Sequence, residues 1–179
     1  IFEALRDGVS DLFHKVPDLA GLFTITMSEN LTHCQSKACG KGYALCPRCA
    51  DRHPPEIVAA VNNAIAEGAH RARPDADVIA WDWSWHPDWA ANVLPLLRKD
   101  IRLMCTQEEY LQTDAAGVRG RVGDYTMSKV GPGFLAEELW QFARTLGLER
   151  LAKIQLNNTW ECSAVPYLPT FDLVEAHLR

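Results

Sequence analysis

Four short runs rich in β-branched and aromatic residues, GLFTITM (21–27), DVIAWDW (77–83), IRLMCT (101–106) and LAKIQL (151–156), constrain this chain more than any other feature. Each has strand length, and the segments between them carry apolar residues at helical spacing. Phe2, Leu5, Val9, Leu12 and Phe13 predict an opening helix that stops before Pro17. Pro54-Pro55-Glu56 starts a second, with Ile57, Val58, Val61 and Ile65 on one face. Pro87 starts a third through Leu97, kinked or weakened by Pro95. Phe134, Leu135, Leu139, Phe142 and Leu146 define a fourth that ends at Gly147, and Thr170 to Leu178 a fifth. Strands alternating with helices imply βαβ units and a parallel sheet, and near-continuous apolar strands fit burial on both faces. The expected class is therefore α/β.

No GxGxxG or GKS/T loop follows the first strand, which removes the usual phosphate cradle of a nucleotide-binding sheet. The reading preferred here is part of a (β/α)8 barrel of about four βα units, with a cysteine-rich loop after the first strand. A complete barrel takes about 250 residues, so residues 1–179 are read as one α/β domain excerpted from a larger barrel. A composition of 47% hydrophobic and 23% charged residues is ordinary for a globular domain. The net charge of -5 and a pI near 5.7 argue against nucleic acid as partner, because phosphate binding needs clustered Lys and Arg. No apolar run approaches the length of a membrane span.

In parallel α/β folds the chemistry sits beyond the C-terminal ends of the strands. Those ends read TMSEN (26–30), WDWSW (81–85), CTQEE (105–109) and QLNNTWE (155–161). Indole rings stack on the C–H faces of sugars, amides and carboxylates take their hydroxyls, and glycosidic cleavage needs two carboxyl groups. Trp81, Trp83, Trp85, Asp82, Asn157, Asn158 and Trp160 are therefore candidate carbohydrate contacts. Strand alternation alone would also place Trp81, Trp83 and Trp85 on one face, in the core. Glu29 and Glu161 follow the first and fourth strands and would lie three strands apart in a barrel. That is the layout of the large clan of retaining glycosidases, with an acid/base Glu after strand four and a nucleophile after strand seven. The clan's acid/base is usually preceded by Asn, whereas Ser28 precedes Glu29. The Gly-rich stretch 117–133 is longer than ordinary connections, which marks Asp124 and Tyr125 as weaker candidates for a pocket wall. Lys153 and Gln155 alternate with Ile154 and Leu156, which aims them into the barrel beneath the site.

The segments TMSENLTHCQS, VIAWDWSW, GDYTMSKVGPG and AKIQLNNTWECSAVPYLP together resemble uncharacterised barrel proteins related to the beta-hexosaminidase-like (family 20-type) glycoside hydrolases. In the hexosaminidases proper, an Asp-Glu pair ends strand four. Glu protonates the leaving oxygen, and Asp orients the acetamido group that attacks from within the substrate. The resemblance implies the acid role for Glu29. Ser28 replaces the Asp, so Asp82, Asp124 or Glu161 must supply the second carboxylate.

Four of the six cysteines fall within HCQSKACGKGYALCPRC (33–49). Cys34, Cys39, Cys46 and Cys49 have spacing that suits a closed tetrahedral zinc site, with His33 or His53 as an alternative ligand. Disulfides are the competing reading. Four thiolates leave no open position for water, so such a zinc clasps the loop and leaves catalysis to carboxylates. Two functions follow as expectations: a glycoside hydrolase acting on a carbohydrate or glycoconjugate, or a zinc-stabilised carbohydrate-binding or protein-interaction module without catalysis.

Overall fold

The computed structural model describes residues 1–28, 32–36, 47–49, 51–155 and 171–179. Among them the chain runs α1 (Phe2–Lys15), β1 (Gly21–Ile25), α2 (Pro54–Ala72), β2 (Asp77–Trp81), α3 (Pro87–Ala90), β3 (Ile101–Thr106), β4 (Gln112–Ala115), β5 (Val118–Arg121), α4 (Phe134–Leu146), β6 (Arg150–Lys153) and α5 (Phe171–Leu178). The first sheet has the order β1-β2-β3-β6, with β1, β2 and β3 parallel. Leu103 N–H donates to Glu149 O and Gln107 N–H to Lys153 O, so the partner number rises with the strand and β6 is parallel too. Each of these strands reaches the next through a helix-containing crossover. The molecule is a mixed α/β protein with a four-stranded parallel sheet, as the alternation of patterns predicts.

Two compact units divide the chain, one of Ile1–Met104 with Phe142–Leu151 and the other of Cys105–Gln141 with Ala152–Arg179. In the first unit the core is Val58, Val61, Ile65, Val78, Ala80, Val93, Leu94, Ile101 and Leu103, all buried. Pro54 and Pro55 open α2 because a helix start has no use for their missing N–H groups. Asn62 brings polar contacts into this core. Thr24 Oγ1 donates to Asn62 Oδ1 at 2.6 Å, and Asn62 Nδ2 donates to Val58 O at 2.9 Å, so the buried amide is satisfied on both sides. α1 lies on α2, with Arg6–Glu67 at 2.9 Å and Arg71–Asp7 at 3.0 Å along the seam.

Several boundaries differ from the pattern-based expectation, among them the last strand, expected over 151–156 and found at Arg150–Lys153. β1 and β2 each stop two residues early, and Ser28 and Ser84 beyond them take positive φ of 71° and 60°, which bends the chain out of the sheet. The helix after Pro87 lasts only four residues and tightens into a 3-10 turn over Ala91–Leu96, where the Pro95 ring would clash with the carbonyl of Ala91 in an α-helix. The Gly-rich stretch begins with β5, which pairs antiparallel with β4 in an exposed hairpin. Its two-residue turn puts Ala116 at φ 53° and Gly117 at φ 82°, the conformation of a type I′ turn, where glycine is at ease.

Candidate functional site

The first unit presents the WDWSW segment at the C-terminal end of β2. Asp82 is 1% exposed, its N–H donates to Met104 O at 3.0 Å, and its carbonyl accepts from Trp85 N–H at 2.8 Å. This turn fixes the carboxylate one residue past the strand. The rings of Trp81 and Trp83 lie 5.2 Å apart at 33°, and Phe23 meets Trp81 edge-on at 6.2 Å. The three Trp side chains differ in depth. Trp81 is buried, Trp83 is half-buried, and Trp85 is buried at 1% exposure with its indole N–H directed to Thr26 Oγ1 at 3.4 Å. Trp83 is thus the indole of this segment most open to a ligand, while Trp85 packs inside.

The same unit holds the described part of the cysteine loop. Cys34 and Cys49 line one cavity of about 330 Å³, together with His33, Arg48, Arg52 and Phe2. Cys34 is exposed and Cys49 half-buried. Among the described residues, no three His, Cys, Asp or Glu side chains converge closely enough to hold a metal ion. His33 is buried, and its Nδ1 accepts the Gln35 N–H at 3.1 Å. An accepting Nδ1 carries no proton, so in the neutral ring the proton is on Nε2, which makes no close hydrogen bond among the described residues. Burial keeps the ring below the ordinary histidine pKa, partly offset by the backbone of Thr26. His53 is the residue before α2 and initiates it through its carbonyl, which Glu56 N–H and Ile57 N–H approach at 3.1 and 3.4 Å.

In the second unit, polar residues collect beyond β3. Gln107, Glu108 and Glu109 are all buried, Glu108 at 0% exposure. Gly133 N–H donates to Gln107 O at 2.7 Å, and Leu111 N–H to Glu108 O at 3.0 Å, tying down this segment. A Cβ at Gly133 would stand 1.9 Å from Glu109 O, so only glycine permits this approach. His177 of α5 covers the carboxylate, with Nδ1 3.2 Å from Glu108 Oε1 and 3.3 Å from Gln107 Oε1. Lys153, the last residue of β6, is half-buried with its Nζ 3.3 Å from the centre of the Tyr125 ring and 2.8 Å from Gln155 Oε1. Burial lowers the Lys153 pKa, while the charges of Glu108 and Asp124 act to raise it. Asp124 itself is exposed and accepts the Tyr125 N–H at 2.6 Å.

The structure stacks Trp83 on Trp81, lines one cavity with Cys34 and Cys49, and sets Lys153 over Tyr125 within the field of Asp124. Glu29, Cys39, Cys46, Asn157, Asn158, Trp160 and Glu161 lie outside the described residues. Glu108 and His177 were not singled out by sequence. The QEE run after the third strand was the available signal for Glu108, whereas nothing local marks His177, whose partners are about 70 positions away in the chain. The chain matches no family model, no curated protein and no solved structure.

Proposed function

We propose that the chain is part of a carbohydrate-active hydrolase, built on a partial (β/α)8 barrel and cleaving glycosidic bonds with a carboxylate pair. The observation that carries this reading is Asp82, an almost fully buried carboxylate held one residue beyond a parallel strand and flanked by the stacked Trp81 and Trp83. Trp83 offers a half-buried indole face for the C–H side of a sugar, and Asp82, its neighbour in the chain, supplies a carboxylate at the same strand end for hydroxyls. Glu29 is the proposed general acid and Glu161 the nucleophile or charge stabiliser, with Asn157, Asn158 and Trp160 as further sugar contacts. The resemblance to beta-hexosaminidase-like enzymes supports sugar chemistry and the acid role of Glu29, with Asp82, Asp124 or Glu161 as the second carboxylate. Zinc held by Cys34, Cys39, Cys46 and Cys49 is the proposed clasp of the loop. It would supply cross-linking of that loop, and the chemistry falls to carboxylates.

Hydrolysis of a broad panel of aryl and natural glycosides tests the reading. Glu29→Gln should slow natural substrates far more than an activated aryl glycoside, because only the former need their leaving group protonated. Glu161→Gln should abolish turnover of both. A full-length parent that binds sugars and cleaves none would instead be a carbohydrate-binding module, and one that does neither would be an interaction protein.

A further inference from the structure

We propose that the four-stranded sheet is half of a ring that a second copy of this chain completes, β6 of each copy pairing with β1 of the other. The inference rests on the barrel reading above for the ring and goes beyond it in naming what closes it. Its geometry uses the first unit alone.

The strands are staggered. Gly21 of β1 is level with Asp77, where β2 starts. Val78 is level with Ile101, so β3 starts one residue further along. The bond from Leu103 N–H to Glu149 O sets Leu103 level with Arg150 and Ile101 with Leu148, so β6 starts two residues further again. The starts therefore climb by none, one and two residues, three over three junctions. About one residue per strand is the shear that closes an eight-stranded parallel barrel.

One face of this sheet lacks a helix layer. β1, β2 and β3 follow one another in one direction, so right-handed crossovers set α2 and α3 on the same face. Thr24, bonded to Asn62 of α2, marks that face, and Val78, Ala80, Ile101 and Leu103 on it are buried. Residues one position off point the other way. There Phe23 is 57% exposed, and Ile25, Ile79 and Met104 are half-buried. Parallel sheets bury both faces, and a ring of eight strands has an interior that such side chains just fill.

Charge selects the occupant. β1 and β6 end the strand order, so each has an open edge among the described residues. Carrying the same stagger across one more junction sets Arg150 of one copy level with Ala20 of the other, and Asp18 lies two residues below on the same side. Both charges are exposed, and neither is in an ion pair among the described residues. The match is between this chain's own two edges and occurs twice about a two-fold axis, as a self-complementary contact requires.

Sedimentation equilibrium of the 179-residue chain, from about 1 to 100 μM, reads the association. The parent should sediment as a dimer, at twice the 20.0 kDa of one chain. Arg150→Asp and Asp18→Arg, each setting like charges against one another at both junctions, should raise the dimer dissociation constant about tenfold. The two substitutions together restore opposite charges and should return the constant to within about threefold of the parent. Phe23→Asp puts a charge inside the ring and should leave the protein monomeric; should it not fold, the exposed charge variants decide. A parent that stays monomeric to about 100 μM overturns the proposal and leaves the face to another partner, with the barrel reading intact. A dimer indifferent to either single reversal, or not recovered by the double one, associates through another surface and equally overturns it.

Discussion

His177 Nδ1 lies 3.2 Å from Glu108 Oε1, with side-chain exposures of 1% and 0%. Burial holds His177 below the ordinary histidine pKa, so the folded state keeps the ring neutral at pH values where an unfolded chain would protonate it. The unfolded state then binds more protons, and stability falls as pH drops below about 6.5, the unfolded histidine value. The window closes at the lower folded pKa. His33 has its pKa lowered too and adds to the effect in the first unit. The loss is at most about 1.4 kcal/mol per pH unit for each ring. Urea unfolding between pH 7.5 and 5 should show it, and His177→Asn, which keeps a donor near Nδ1 but cannot titrate, should flatten the share reported by exchange in residues 171–178. An unchanged slope in that variant would show that His177 is not the titrating group.

Asn62 supplies a second expectation. Its side chain is fully buried, accepting from Thr24 at 2.6 Å and donating to Val58 O at 2.9 Å. Asn62→Ala deprives the Thr24 hydroxyl of its short bond and leaves only Ile79 O at 3.4 Å. The expected loss is about 1 to 3 kcal/mol in urea unfolding. Adding Thr24→Val removes the stranded hydroxyl, so the double variant should be less destabilised than the sum of the single changes.

The parallel sheet was legible because its strands are buried on both faces and therefore apolar throughout, as Val78, Ala80, Ile101 and Leu103 illustrate. Helix starts were legible where proline marks them, at Pro54 and Pro87. The β4–β5 hairpin was not. All four residues of β5 are exposed, so no apolar alternation marks them, and pairing with β4 comes from the turn rather than from a buried face. The depth of the tryptophans escaped sequence for a related reason. The WDWSW alternation presumes a strand through Trp85, but β2 ends at Trp81 and Ser84 turns the chain, sending Trp85 inward. The Glu108–His177 pair was hidden by its separation in sequence, since periodicity reads neighbours and this contact is made by topology.

For the cysteine loop, the proposed ligands are the four thiols rather than His33. The His33 Nδ1 is engaged by Gln35 N–H at 3.1 Å, which assigns the proton to Nε2. His33→Asn keeps an acceptor for that N–H, so the variant should hold as much zinc as the parent, about one ion per chain. Cys49→Ser should lose most of it and lower the melting temperature. Metal analysis of protein prepared without chelator checks both. Parental protein without zinc would reject the clasp, and loss of zinc from His33→Asn alone would make His33 a ligand after all.

Trp83 and Trp85 should separate binding from folding, because they differ in depth only two positions apart. Trp85 is 1% exposed with its N–H on Thr26, so Trp85→Ala opens a large cavity and should cost about 3 to 5 kcal/mol. Whatever fraction remains folded should retain its sugar contacts. Trp83 is half-buried and stacked on Trp81 with centroids 5.2 Å apart. Its truncation should cost about 1 kcal/mol of stability but weaken sugar binding by up to about tenfold, the worth of one aromatic stacking contact. Trp83→Phe keeps a flat face and should recover part of that affinity. Calorimetric titration with a bound glycoside, beside urea unfolding of the same samples, reads the two effects independently. Equal affinity in Trp83→Ala and the parent would remove this segment from the sugar site and with it the main support for a ligand at Asp82.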